Sequence, residues 1–551
     1  MTKPKFVILA ILDGWGLTAP STGNAISQAS TINMDKLWAS YPHTQLDASG
    51  EAVGLIRGQA GNTETGHINL GAGRVIYQDL ARIGMSIAEG TFYKNEALLG
   101  AIEHAKKNNS NLHLMGLVGA GGVHSNIEHL FALIHLCAKH NFDRVFLHLF
   151  TDGRDSPPTA AKTYVQRINE IIQKEKVGTI ASIMGRYWAL DRDFRWERTE
   201  KAYLALTTAK ADLVKSCDEA IDASYNSGKT DEFIEPALIS NQEGKPVAII
   251  KDNDSVIFFN FRVDRPRQLT SAFVVEQFDN THLKKEVDPY LEKYEKTHLI
   301  EKVKVNKQIF TRGEALKNLY FATMTEYSPA LKENGTKVAY PPEIVEMPLG
   351  RIIAENGSKQ LHASESEKER FVTFYFNGLH NQKFEGEDRL IVPSPKVATY
   401  DLMPEMSAKM LTELVIKRLQ SNLEYKFVII NYANVDMVGH TGNIGAALKA
   451  CQVADEEIGK LANYVLAYNG ALIITADHGN TEEMIDQHTG QIDTEHNANP
   501  VPFIAVHKDF MGKSQTLQSG ILADVAPSIL NLLGLTPPTQ MTGRDLLKGI
   551  I

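Results

Sequence analysis

Residues 6–14 read FVILAILDG, seven apolar residues that run without a polar interruption into Asp13 and Gly14. A strand exposed on one face alternates apolar and polar residues. An unbroken apolar run of this length instead suits a strand covered on both faces, as in a parallel sheet packed between helices. The pattern recurs along the chain. Residues 112–118 (LHLMGLV) lead into a glycine loop and His124, and 145–150 (VFLHLF) lead into Asp152-Gly153-Arg154-Asp155. Residues 256–261 (VIFFNF) lead into Arg262, 427–431 (FVIIN) precede Asp436 and His440, and 472–476 (LIITA) lead into Asp477-His478-Gly479. Helical periodicity lies between them, at 127–140, 159–174, 197–209 and 446–468. Strand and helix in alternation predict an α/β fold, with reactive residues gathered at the carboxyl edge of the sheet.

Length and composition bound the rest. A chain of 551 residues exceeds one compact core, so two or more domains are expected. The formal charge of −9 is not gathered in a block and offers no basic excess for nucleic acid. Cys137, Cys217 and Cys451 form neither a metal-ligand spacing nor a disulfide framework, which fits a reducing cytoplasm. The 6–12 run lacks a small-residue cleavage site and reads as a buried strand, not a leader. No apolar stretch approaches a membrane span, so a soluble, cytoplasmic protein is expected. Charge density rises over 284–307 and prolines punctuate 341–348, placing a connecting segment near 311–345.

The acids and imidazoles suggest metal chemistry. Asp436 and His440 are spaced to share a helical face, Asp13 and the Asp477-His478 pair follow strands, and His496 precedes Asn499-Pro500. Any one of these alone is what an ordinary turn would use. Together, mixed carboxylate and imidazole donors suit manganese, zinc or magnesium, and a pair of such ions could clamp a displacement at phosphorus. Thr63, in the glycine-flanked GNTETGH at 61–67, offers a hydroxyl that metal or base could activate, although the same segment would serve as a plain turn. Arg154 with Asp155, Arg186 with Arg192, and Arg262 with Arg265 sit among aromatics after apolar runs. Guanidinium forks of this kind bind carboxylate and phosphate at two points, as a small dianionic substrate requires.

The order of the motifs LDGWG (12–16), GNTETGH (61–67), HSNIEH (124–129), TDGRDSPP (151–158), MGRYWALDRD (184–193), NFRVDRPRQLT (260–270), ESEK (365–368), NYANVDMVGHTG (431–442), TADHGNTE (475–482) and HNANPVPF (496–503) resembles the cofactor-independent phosphoglycerate mutase family of the alkaline-phosphatase superfamily from end to end. The resemblance implies an alkaline-phosphatase-like domain, mostly parallel sheet between helices, at 1–77 and 346–551, with an α/β transferase domain inserted at 78–310. It implies interconversion of 3- and 2-phosphoglycerate, a step of glycolysis and gluconeogenesis, without bisphosphoglycerate. Two divalent ions are implied, manganese foremost and magnesium, cobalt or zinc also suited. Asp436, His440 and His496 would hold one, and Asp13, Asp477, His478 and the Thr63 oxygen the other. His124, Arg154, Asp155, Arg186, Arg192, Arg262, Arg265 and Lys368 would hold the substrate. Thr63, Asp155 and Lys368 would carry the chemistry through a phosphothreonine, and domain closure would exclude water.

The family's usual GNSEVGH is altered here, with Thr63 in place of the nucleophilic serine and Thr65 in place of valine. The resemblance further implies a monomer with a small-molecule substrate. Two alternatives share part of these features. One is a metal-dependent phosphomonoesterase or sugar phosphomutase of the same superfamily; the other is a silent phospholigand-binding protein, conceivable because of the threonine.

Overall fold

The computed structural model describes residues 3–279, 309–421, 424–487 and 489–550. The chain divides into two compact units, residues 1–78 with 343–551 and residues 79–342. Among the described residues no helix is long and apolar enough to cross a membrane.

The first unit is built on an eight-stranded sheet. From edge to edge its strands are Glu387–Val392, Lys359–Glu365, Tyr425–Tyr432, Val7–Leu12, Ala471–Thr475, Val501–Val506, His43–Asp47 and Gly520–Ile521. The FVILAIL run forms a central strand, every residue of Val7–Leu12 buried, paired in parallel with Tyr425–Tyr432 on one side and Ala471–Thr475 on the other. Coverage of both faces is what the unbroken apolar pattern requires. The sheet is not wholly parallel: Val501–Val506 runs antiparallel to Ala471–Thr475 and to His43–Asp47. Four adjacent strands, Lys359–Glu365, Tyr425–Tyr432, Val7–Leu12 and Ala471–Thr475, run parallel, so their carboxyl ends share one edge.

The second unit carries its own eight-stranded sheet, in the order Lys337–Tyr340, Tyr320–Thr325, Ser255–Phe258, Leu112–Val118, Val145–Thr151, Thr179–Gly185, Ala237–Ile239 and Asp212–Val214. Among the described residues, only the pairing of Thr179–Gly185 with Ala237–Ile239 is antiparallel in this sheet. The helices expected from periodicity form as Ile127–Lys139, Ala161–Glu175, Trp196–Thr208 and Ile444–Tyr468, the last in the first unit.

The connecting segment expected at 311–345 is corrected. Tyr320–Thr325 and Lys337–Tyr340 pair in parallel as strands of the second sheet, and Ser328 caps the short helix between them by accepting from the Leu331 amide. The prolines at 341 and 342 therefore end the second unit, which runs to residue 342 and not 310. The threonines of YFATMT obscured a strand whose last five residues are all buried. The charged stretch at 284–307 lies outside the described residues.

Candidate active site: an acid–imidazole cluster and an arginine cavity

In the first unit the four parallel strands deliver their following residues to one place. Asp13 follows Val7–Leu12, Lys368 ends the tight turn Ser366–Lys368 after Lys359–Glu365, and Asp436 lies on the helix Asn434–Gly439 after Tyr425–Tyr432. Asp477 and His478 follow Ala471–Thr475. Thr63 opens the helix Thr63–Ala72, whose cap residue Asn62 accepts from the Thr65 amide at 3.0 Å. A helix N-terminus presents unpaired amides and the positive end of the helix dipole, which favours an anionic oxygen or a phosphate there.

Distances bind these residues into one cluster. Lys368 Nζ donates to Asp13 Oδ1 at 2.9 Å, to Asp436 Oδ2 at 2.8 Å and to Thr63 Oγ1 at 3.0 Å. His478 Nε2 lies 3.0 Å from Thr63 Oγ1, 3.4 Å from Asp13 Oδ1 and 3.6 Å from Asp477 Oδ2. His496 Nε2 and His440 Nε2 each stand 3.4 Å from Asp436 Oδ1. Thr63, Asp13, Asp436, Asp477, His478 and Lys368 are all buried.

Electrostatics follow from packing this much charge away from water. Burial alone would depress the His478 imidazolium, but Asp477, Asp13 and Asp436 outweigh it and push its pKa up to about 10. Burial opposes the Lys368 ammonium too, and the same three carboxylates raise its pKa all the same. Burial raises the carboxyls of Asp436 and Asp477, yet Lys368 and the imidazoles hold both well below the ordinary carboxylate range. Acidic groups gathered this closely call for positive charge.

Two observations fit that charge to divalent ions. Neither carboxylate oxygen of Asp477 has an aligned hydrogen bond, and Oδ2 has the imidazoles of His67 and His478 beside it at 3.2 and 3.6 Å. His440 Nδ1 lies 2.7 Å from the Thr494 carbonyl and His496 Nδ1 lies 3.0 Å from the Gly61 carbonyl, so both Nδ1 atoms carry the proton. Their Nε2 lone pairs then face one another at 3.0 Å beside Asp436, an arrangement that a shared cation satisfies. The compact ligand groups are Asp436 with His478 and His496, and Asp13 with His67 and Asp477. His478 thus stands with Asp436 as well as beside Asp13 and Thr63, and His440 flanks the first group.

Sequence reasoning missed His67 and Asn431, which quoted motifs already contained. His67 stands four residues after Thr63, a spacing that puts both on one helix face.

The second unit gathers the arginines. Arg154, Arg186, Arg192 and Arg265 line one cavity of about 140 Å³ together with Tyr187, Arg195 and Arg198. Arg186 is buried and its Nη1 donates at 2.5 Å to both Asp152 Oδ1 and Asp155 Oδ2. His124 Nε2 stands 3.5 Å from Asp155 Oδ2, and its Nδ1 is 3.6 Å from Asp264 Oδ1. Asp264 also receives Arg192 at 2.5 Å and lies 3.4 Å from Arg262 Nε. Burial, then Arg186, depress His124 to about 4, so it is neutral near pH 7. Burial would raise Asp155, but Arg186 and His124 keep it lower than usual. Burial and the neighbouring guanidiniums Arg186 and Arg192 bring Arg265 down to about 10. Nε of Arg186 and Nε of Arg265 are buried without an acceptor. Such a surplus of donors suits an anion. Asp152 and Asp264 stand in motifs the sequence offered, but nothing in the sequence marks them as the acids that organise the arginines.

Known proteins match this chain along its length. Residues 83–329 match the family described as the BPG-independent PGAM N-terminus. The 2,3-bisphosphoglycerate-independent phosphoglycerate mutase of Clostridium novyi (strain NT) is 48% identical over 544 residues, covering 99% of each chain. The enzyme of that name from Moorella thermoacetica is 45% identical over 541 residues, 98% of each. Among solved structures, Leishmania mexicana phosphoglycerate mutase at low cobalt concentration aligns with a TM-score of 0.61 and 28% identity, over 98% of this chain and 97% of its own. With nearly half its residues shared over nearly its whole length, the chain belongs to the enzyme family of 2,3-bisphosphoglycerate-independent phosphoglycerate mutases.

Proposed function

We propose that this enzyme interconverts 3-phosphoglycerate and 2-phosphoglycerate through a phosphothreonine at Thr63, with two divalent ions and no bisphosphoglycerate. The observation that carries the reading is the Thr63 hydroxyl. It heads a helix and lies 3.0 Å from both His478 Nε2 and Lys368 Nζ, inside a buried acid–imidazole cluster. Asp436, His440 and His496 would hold one ion, and Asp13, Asp477 and His478 with the Thr63 oxygen the other. When bound, such ions lower the pKa of the hydroxyl and offset charge on phosphoryl oxygens, with Mn²⁺ the first choice and Mg²⁺, Co²⁺ or Zn²⁺ suited to the same donors.

The chain's own residues divide the remaining work. Lys368 supplies a fixed ammonium beside the nucleophile, where charge on the transferring group is greatest. Arg154, Arg186, Arg192, Arg262 and Arg265, with neutral His124, grip the carboxylate and hydroxyls of the glycerate so that it is held, not released, between the two transfers. As the phosphoryl group leaves the substrate for Thr63, the glycerate oxygen it departs takes up a proton; when the other hydroxyl attacks, that hydroxyl gives one up. Asp155 is assigned this proton. Its carboxylate, held ionised, takes the proton of the hydroxyl that will attack and passes it to the oxygen the phosphoryl group has left, so Asp155 ends each cycle as it began. The threonine methyl restricts side-chain rotation without altering the hydroxyl chemistry. The reading sets the reaction in the cytoplasm and in a single chain.

The test is Thr63→Ala beside Thr63→Ser. With manganese and no bisphosphoglycerate, the alanine variant is expected to lose at least about 10³-fold in rate, and the serine variant to stay active. Quenched wild-type enzyme given labelled substrate should carry label on the peptide containing Thr63. Wild-type turnover by Thr63→Ala would end the covalent route. Release of free phosphate as the main product would point to a phosphomonoesterase instead.

A further inference from the structure

We infer that His67 and Asn431 form a buried bridge that fixes Asp13 and Asp477 as ligands, making both of them positioning residues for the second ion. The inference rests on the two-ion reading above and extends it to residues which that reading does not use.

The hydrogen-bond inventory decides what His67 can be. Its Nδ1 lies 2.9 Å from the Thr63 carbonyl oxygen and 3.2 Å from Asp477 Oδ2. Both neighbours are acceptors, so Nδ1 carries the proton; it is hydrogen-bonded to the Thr63 carbonyl and faces Asp477 Oδ2 as a close electrostatic contact. In a neutral ring Nε2 then accepts, and Asn431 Nδ2 stands 3.1 Å away. The Asn431 amide also donates to Asp13 Oδ2 at 2.7 Å. Flipping that amide would set its oxygen against the Asp13 carboxylate, so the observed orientation is the one electrostatics permits. The chain of donors therefore runs from Asn431 to Asp13 and to His67, and from His67 to the backbone of Thr63, with Asp477 Oδ2 3.2 Å from the same N–H group.

Proximity alone would allow His67 to be a ligand with Asp13 and Asp477. The bridge argues otherwise: both ring nitrogens are engaged, one as donor and one as acceptor, so no lone pair is left for a cation. His67 instead sets its Nδ1–H beside one oxygen of Asp477, while Asn431 donates to one oxygen of Asp13. His67, Asn431, Asp13 and Asp477 are all fully buried, so water does not substitute for any of them. The Phe371 ring backs this arrangement, 5.8 Å from the His67 ring and 5.3 Å from Lys368 Nζ. Partners of this kind orient the carboxylates that touch a metal, and their loss typically costs about 10- to 100-fold in affinity.

The experiment titrates Mn²⁺ into metal-free full-length protein by calorimetry, for wild type, His67→Asn, His67→Gln and Asn431→Leu. An asparagine amide reproduces the Nδ1 donor, and a glutamine reaches only the Nε2 position. Wild type is expected to bind two ions. His67→Gln and Asn431→Leu should weaken one by about 10- to 100-fold and leave the other unchanged. His67→Asn should retain most of the affinity. Nitrogen NMR on wild type should find the His67 proton on Nδ1, with or without Mn²⁺, which keeps the test decisive if a variant fails to fold. Two unchanged affinities in folded His67→Gln, or a metal-shifted Nε2 signal from His67, would overturn the bridge. A wild type that binds no Mn²⁺ would instead overturn the two-ion reading.

Discussion

Lys368 sets one ammonium against Asp13 and Asp436, at 2.9 and 2.8 Å, with Thr63 also in reach. Without that charge the two buried carboxylates lose the ammonium that touches both and are left to the imidazoles beside them, and breaking a buried pair from one side costs up to about 3–5 kcal/mol. In metal-free protein Lys368→Met is therefore expected to lower the thermal midpoint clearly. Manganese should raise the midpoint further in this variant than in wild type, because it restores what the lysine supplied. Differential scanning calorimetry with and without Mn²⁺ checks both statements. An unchanged metal-free midpoint would mean that the lysine is not the counter-charge. At this scale the sequence exposed Asp13, Asp436, Asp477 and His478 because each follows an apolar run. Lys368 has no such mark; only the resemblance drew attention to it. His67 stayed hidden because one imidazole inside GNTETGH carries no signal of what it touches.

The helix Thr63–Ala72 joins the nucleophile to the sheet by packing, and its glycine at 66 shows how closely. A Cβ at Gly66 would lie 2.5 Å from Asp477 Cβ and 2.6 Å from the Asp477 carbonyl oxygen. Neither backbone nor ligand can yield there without moving the cluster. Gly66→Ala is expected to cost about 1–3 kcal/mol by overpacking. It should also lower kcat about 10²-fold by displacing Asp477 relative to Thr63. Denaturant titration and steady-state kinetics on the same preparation test it, and wild-type kcat would show that the close approach does not matter. Elements covered on both faces were legible for the reason that made them strands: Val7–Leu12 and Leu112–Val118 bury every residue. The antiparallel course of Val501–Val506 was not, since strand direction depends on its neighbours and not on its composition. Tyr320–Thr325 was lost to its threonines and to the prolines that follow at 341 and 342.

Across the whole molecule, the α/β class could be read from alternation alone, whereas the split of one unit by the other could not. Residues 1–78 and 343–551 share one sheet because Val7–Leu12 pairs with Tyr425–Tyr432, and no local pattern announces a partner that distant. The same burial that makes the strands legible sets the protein's response to acid. His129, on the helix Ile127–Lys139, is buried, its Nδ1 lacks a partner, and its ring packs edge-on to Phe261. Burial drives its pKa down to about 4, against about 6.5 for an unfolded histidine. The unfolded chain therefore takes up a proton near pH 6.5 that the folded chain refuses until about 4. Stability that is fully present above 6.5 is thus lost as pH falls through that window. A shift of this size is worth about 3 kcal/mol once pH reaches 4. His148, depressed by burial and by His113, adds to the same trend in the same unit. Replacing His129 by Phe removes one of these protons. The denaturant midpoint of His129→Phe is expected to fall less steeply than that of wild type between pH 6.5 and 4.5, and to match its slope above pH 7. Parallel curves throughout would show that the imidazole at 129 is not among the groups that bind a proton only on unfolding.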